Sequence, residues 1–386
     1  MTKDVLKKNT MLLVLISAML IFQALITYYG RGSLFAPTNI TNLIGQNGHV
    51  VILAAGMLLC ILTGGNIDLS IGSQVALIGG FAGVMMVYWK WNPYIAIIIC
   101  LLTGLILGAW QAFWIAFMRI PPFIVTLAGM LTFRGISWTV LQGQTISPFP
   151  EGFKFLFNNF IPGPTSSAEI ISITTAAVIC VVFVLLSFFF RMQKLRKKYE
   201  VENIWYMVIK LVLICGVIII AFALLGRDKG IPVVLLLLAA VVLIYNYYTK
   251  NTVPGRHLYA MGGNEKASKL SGIDTNKTLF FAYTNMGVLS ALAALVCVAR
   301  FNSASPNAGN MYELDAIGSC FIGGASAYGG VGTIGGAVIG AIFMGVLNNG
   351  MSILGIGTDW QRTVKGLVLL AAVIFDIMSK KRKQNA

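Results

Sequence analysis

Few side chains in this sequence can do chemistry, and their surroundings limit what that chemistry is. Asp68 sits in Thr63-Gly-Gly-Asn-Ile-Asp-Leu-Ser-Ile-Gly72, between two apolar runs. A carboxylate at the centre of a bilayer costs roughly 2.5–3.5 kcal/mol on insertion scales, so one held near membrane depth is a functional candidate. The structural alternative is that Asp68 accepts backbone N–H groups where a helix opens near Ser70. Arg134 lies inside Phe123–Leu141, with Gln142 and Gln144 just beyond, and Asn348 and Asn349 lie inside Ile334–Leu354. Together with Asn66 and Gln74 they are candidates to line a solute pathway. A hydroxyl-bearing solute calls for neutral hydrogen-bonding groups, because a hydroxyl both donates and accepts. Polar contacts between membrane helices use the same residue types, so both readings stand.

Other chemistries find no support. Gly330-Val-Gly332-Thr-Ile-Gly335 matches GxGxxG, but a dinucleotide fingerprint needs a preceding strand and a soluble βαβ unit, and this match opens an apolar helix. No GxxxxGK[ST] loop occurs, so the chain is expected to carry no nucleotide site and to be no enzyme of its own. Cys60, Cys100, Cys180, Cys215, Cys297 and Cys320 lie in or at the ends of apolar segments without metal-ligand spacing, as small packing residues do. No cofactor or metal is expected.

These residues must be positioned by membrane helices. Of 386 residues, 57% are hydrophobic and 11% charged, where a soluble domain carries about 25% charged residues. Apolar stretches about 20 residues long recur: Thr10–Tyr29, Gly48–Thr63, Ile71–Trp89, Tyr94–Met118, Phe123–Leu141, Ile170–Phe190, Trp205–Leu225, Ile231–Tyr248, Leu279–Ala299, Ile334–Leu354 and Gln361–Met378. Thr10–Tyr29 runs on into Gly30-Arg31-Gly32 without a cleavage site and reads as a retained helix.

The net charge of +15 is clustered beside these spans. Lys3, Lys7 and Lys8 precede the first; Arg191, Lys194, Arg196, Lys197 and Lys198 form a second group. Lys250, Arg256, Lys266, Lys269 and Lys277 share one loop, and Lys380, Lys381, Arg382 and Lys383 close the chain. Such clusters mark cytoplasmic loops, and with no basic soluble domain a nucleic-acid partner is not expected. Both termini therefore read as cytoplasmic, which requires an even number of crossings. Tyr312–Ala327, interrupted by Gly323 and Gly324, supplies the missing one as a short or broken helix near 312–330 inside the bundle. The expected fold is all-α and polytopic, with about 12 transmembrane helices in one domain over 1–386.

Gln142–Glu169, with Pro148, Pro150, Pro162 and Pro164 among Phe149, Phe153, Phe155 and Phe157, reads as an amphipathic cap on the outer surface. Gly79 and Gly83, Gly104 and Gly108, and Gly332, Gly336 and Gly340 are spaced for close helix contact.

The most informative stretch is Pro254–Asp274. Its centre, Asn264–Leu270, reads as a short exposed helix opened by Asn264 and closed by Gly272, suited to docking a soluble partner. Gly262 and Gly263 are expected to form a positive-φ turn before it, and Glu265 and Lys269 an i,i+4 pair.

At this loop the chain resembles the sugar-permease family of ABC importers. The pattern is carried by Arg256, Tyr259, Ala260, Gly262, Gly263, Asn264, Ala267, Leu270, Ser271, Gly272 and Ile273. Further matches are Thr63–Gly72, Thr132-Phe-Arg-Gly135, Tyr312-Glu-Leu-Asp315 with the Gly-rich Ile322–Gly340, and Asn348–Gly355, so the resemblance spans most of Gly45–Val373. It is similar to xylose-type and multiple-monosaccharide permeases. Ribose-type members look like ten-helix proteins, and this chain carries an extra central stretch near Ile170–Leu225.

The resemblance implies a bacterial inner-membrane permease for monosaccharides of the xylose, glucose, galactose and arabinose class. It implies a permease homodimer in membrane lipid on ABC ATPase subunits, fed by a periplasmic or lipid-anchored sugar-binding protein. It also implies that 250–278 is the coupling loop, with Arg256, Tyr259, Gly262, Gly263, Asn264, Glu265, Lys269, Leu270 and Gly272 facing the ATPase. The alternative class is an ion-coupled secondary transporter, to which Asp68, Arg134, Asp359 and Asp376 could belong. The docking helix separates the two, since a secondary carrier has no use for one.

Overall fold

The computed structural model describes residues 10–384 apart from 164, 166, 200 and 202, so Lys3, Lys7, Lys8 and Pro164 lie outside the described residues. The chain folds as α1 (Thr10–Tyr28), α2 (Pro37–Leu62), α3 (Ile71–Gly83), α4 (Pro93–Ala116), α5 (Pro122–Leu141), α6 (Glu151–Asn158), α7 (Ala168–Arg196) and α8 (Ile204–Gly226). There follow α9 (Val233–Asn251), α10 (Val253–Gly263), α11 (Glu265–Leu270), α12 (Thr275–Phe301), α13 (Tyr312–Ile322), α14 (Ile334–Ile353) and α15 (Thr358–Gln384). A two-stranded ribbon, β1 (Phe160–Pro162) on β2 (Gly230–Pro232), is the sheet among the described residues.

Among the described residues, 10 helices are long and apolar enough to cross a membrane. The chain is a polytopic all-α membrane protein. The two further segments that complete the expected twelve differ from these. The helix α15 is 27 residues long, with Arg362, Lys365 and Asp376 among its apolar residues. The helix α13 has 11 residues; at 1.5 Å per residue it covers roughly half of a ~30 Å hydrocarbon layer. Non-helical backbone follows it to Thr333, so the short helix expected near 312–330 is present.

One boundary moves far. The helix α2 starts at Pro37 rather than near Gly48, because its polar first turns are satisfied locally and by α14. Thr41 Oγ1 donates to Pro37 O at 3.1 Å and Asn47 Nδ2 to Leu43 O at 3.0 Å. Asn39 and Asn349 exchange amide hydrogen bonds in both directions, each 2.9 Å.

The core is built around α2, α3 with the π-helical turn Val84–Tyr88 that continues it, and α12, whose apolar spans are 83%, 78% and 72% buried. Small residues set the helix contacts: Gly104 and Gly108 of α4 approach the backbone of α12 around Gly287, and Gly340 of α14 approaches Ser319 of α13 too closely for any Cβ. The helices α7 and α8 pack on each other at the periphery, with only 11% of each apolar window buried. The segment expected to be an amphipathic cap holds an amphipathic helix: Phe153 and Phe157 of α6 point inward while Phe155 is exposed. Ile146 pairs with Ala304 as an isolated bridge beside it.

Candidate functional site

Between α2 and α3 the helical path breaks from Thr63 to Ser70, and Asp68 is fully buried there. Its Oδ1 accepts from the backbone N–H of Ser70 at 2.8 Å and from Ser70 Oγ at 2.6 Å. Asp68 thus fixes the turn that delivers Ser70, the residue flanking α3, and binds no N–H deeper in the helix. Gln74 Nε2 donates to Ser70 Oγ at 2.8 Å and to Gln111 Oε1 of α4 at 3.1 Å. Ser70 Oγ lies 3.1 Å from the same Gln111 Oε1. Tyr283 Oη of α12 donates to Ile67 O at 3.4 Å.

Asp68 Oδ2, Gln74 Oε1 and Gln111 Nε2 are buried without a partner. Orphaned buried groups are costly, so this cluster has hydrogen-bonding capacity that the protein itself does not use. Of the sequence candidates, Asp68 and Gln74 belong here. Asn66 lies next to them in the chain but donates to Thr63 Oγ1 at 3.1 Å. Gln111 carries no local signal in the sequence, being one glutamine in an apolar helix.

The other candidates lie elsewhere. Arg134 is half-buried and its Nη1 donates to Pro306 O at 2.8 Å and Ala308 O at 2.6 Å, holding the non-helical stretch before α13. Gln142 is exposed at the end of α5 in the left-handed conformation, where it terminates the helix. Asn349 is tied to Asn39. Asn348 lies beside the Asp315 carboxylate, which lies 2.9 Å from Lys365 Nζ of α15. Asp315 and Lys365 form an ion pair with side chains only 4% and 14% exposed.

The loop 250–278 holds two helices, α10 and α11, where one was expected. Asn264 caps α11 as its type suggests, its Oδ1 accepting from Ala267 N at 3.0 Å. Gly272, in the left-handed region, ends the motif. Gly262 and Gly263 do not make a positive-φ turn; they are the last residues of α10. What Gly262 supplies is absence of bulk: a Cβ there would overlap Leu62 O and the Gly330 amide, whereas Gly263 faces open space.

Glu265 is paired with Arg119 rather than with Lys269. Arg119, in the turn between α4 and α5, also reaches Thr275 Oγ1 at 2.9 Å and Asn276 Oδ1. Nothing local in the sequence marks it. Asp274 starts α12, and the backbone N–H of Lys277, at 3.0 Å, holds its carboxyl below the usual carboxylate range. Arg256, Asn264, Glu265, Lys269 and Gly272 are exposed, and Leu270 is 90% exposed. Tyr259 is half-buried and its Oη donates to Gly332 O at 3.0 Å. An apolar side chain so open beside exposed charges of both signs suits a protein partner.

The family described as branched-chain amino acid transport system / permease component matches residues 39–373. The Haemophilus influenzae xylose transport system permease protein XylH is 37% identical over 374 residues, covering 97% of this chain and 98% of that protein. XylH of Escherichia coli K12 is also 37% identical, covering 97% and 93%. The ribose import permease protein RbsC of Escherichia coli K12 is 34% identical over 342 residues, covering 89% and 86%. No solved structure matches.

Proposed function

Since the chain belongs to the branched-chain amino acid transport system / permease component family, and is thus a transport subunit and not an enzyme, we propose that it passes monosaccharides into the cell. The xylose and ribose systems of its relatives support a sugar cargo. In this reading the chain works as a homodimer in the cytoplasmic membrane, on two ATPase subunits and beneath a sugar-binding protein. Both termini, 191–203 and 250–278 face the cytoplasm, and 142–169 faces outward.

The observation that carries the reading is the surface of α11. It is an exposed, capped helix of 6 residues, too short to be stable alone, clamped by Arg119 and presenting Leu270. Such a segment is useful to a subunit that receives movement from another chain. The Asp68–Ser70–Gln74–Gln111 cluster, with its unused hydrogen-bonding capacity, supports a place for hydroxyl groups to pass.

Uptake of labelled xylose, glucose, galactose and arabinose, with and without the chain, tests the cargo. Uptake should persist when the proton gradient is collapsed and stop when ATP is depleted. The opposite pattern would turn the assignment to an ion-coupled carrier.

A further inference from the structure

We propose that Tyr259, Gly262 and Gly330 are positioning residues of a transmission junction, which carries movement of α10 and α11 to the interrupted stretches Thr63–Ser70 and Gly323–Thr333. The proposal rests on reading 250–278 as the coupling loop.

Three backbone segments meet there with almost no side chain between them. Leu62 O, at the end of α2, accepts the Gly330 N–H at 3.1 Å. Gly262 lies against both, and a Cβ added to Gly330 would sit 2.8 Å from Gly263 N and 3.0 Å from Gly262 C. Tyr259 Oη adds the 3.0 Å hydrogen bond to Gly332 O. On the far side, a Cβ on Gly329 would sit 2.5 Å from Gly64 Cα, and one on Gly65 would overlap Ala327 O. Asp376 of α15 accepts the Ala327 N–H at 3.2 Å, anchoring the same turn to a fourth segment.

Backbone packed on backbone has no flexible side chain to absorb a displacement, and packed interiors switch between arrangements rather than deform continuously. Movement of α10 is therefore passed on. The helix α2 is mostly buried and resists it. The stretches beyond do not resist, because Gly64, Gly65, Gly324, Gly329 and Gly330 all sit in the left-handed region and turn with little side-chain penalty. One of those stretches leads directly to Asp68 and the orphaned polar groups around it. The two faces of the coupling segment are thus divided: Asn264, Glu265 and Leu270 look outward, while Tyr259 and Gly262 look into the junction.

The test uses the full chain in proteoliposomes with its ATPase and sugar-binding partners, reading ATPase retention and sugar taken up per ATP hydrolysed. Gly330→Ala should keep the ATPase bound and lower uptake per ATP by about tenfold, within the range of allosteric couplings. Tyr259→Phe, which adds no atom and deletes one hydrogen bond, should lower it about threefold. Gly335→Ala, where a Cβ meets nothing within 4 Å, should leave it unchanged. Unchanged uptake per ATP in both Gly330→Ala and Tyr259→Phe overturns the proposal. So does loss of the ATPase from both, since the junction would then only shape the docking face. If Gly330→Ala does not reach the membrane, Tyr259→Phe decides. A wild-type chain that retains no ATPase and transports without ATP overturns the underlying reading, an outcome distinct from either.

Discussion

The broken core and the α7–α8 hairpin are both apolar enough to cross a membrane, the hairpin the more so, and they do opposite work. In α2, 83% of the apolar window is buried against protein; in α7 and α8 the share is 11%. The core is where polar groups are hidden: Asp68, Gln74, Gln111 and Asp315 all lie there, and each is nearly or fully inaccessible. The hairpin keeps its charge toward its two ends, in Arg191, Lys194, Arg196, Lys197, Lys198 and Lys210 at one and in the ion-paired Glu169 and Arg227 at the other. Apolarity alone therefore marks membrane residence, whereas buried polarity and backbone interruption mark the part that the proposed mechanism moves.

The largest effect expected in this contrast is at the core ion pair. Lys365→Met leaves Asp315 buried without its cation and should destabilise the protein by about 3–5 kcal/mol, while Asp315→Leu combined with Lys365→Met should recover most of that. Thermal unfolding in detergent measures both, and equal stability of the single variant and wild type would show that the pair does not hold α15 to α13.

Next comes Asp68→Asn. The amide oxygen can keep the two bonds from Ser70, so stability should change by no more than about 1 kcal/mol. Sugar uptake should nevertheless fall, because the unpartnered carboxylate oxygen is replaced. Normal uptake by a normally folded variant would leave Asp68 as a turn-former only.

Asn264→Ala should loosen α11 by about 1 kcal/mol, the usual value of a helix cap. It should weaken ATPase retention without altering insertion, which co-purification reads out. The smallest effect is expected on the hairpin. Leu213 is 64% exposed, and Leu213→Ala should change stability by less than about 0.5 kcal/mol. A larger loss would mean that this face is covered by a partner rather than by lipid.

The contrast also explains what could be read from the residues alone. Membrane helices are set by length and polarity, which are local properties, so the spans were found to within a few residues wherever apolar runs begin and end cleanly. The start of α2 was not, because Asn39, Thr41 and Asn47 look like a loop until Asn349 is placed opposite Asn39. The cap at Asn264 was legible because it acts three residues away. The residue type of Gly262 suggests a turn, but what matters there is Leu62 and Gly330 arriving from distant parts of the chain. Gln111 and Arg119 were invisible for the same reason: each is one polar residue whose partners come from other helices.

The paired amides of Asn39 and Asn349 carry a consequence for how the protein is made. They are separated by 310 positions in the chain. Translation at about 5–20 residues per second leaves Asn39 waiting roughly 15–60 s for its partner. During that interval the first turns of α2 have no permanent place. A nascent chain paused before α14 therefore leaves the Asn39 side chain with only its contact to Leu34 O, open to whatever insertion factor holds it, and a helix made late in synthesis closes the structure that the second one opened.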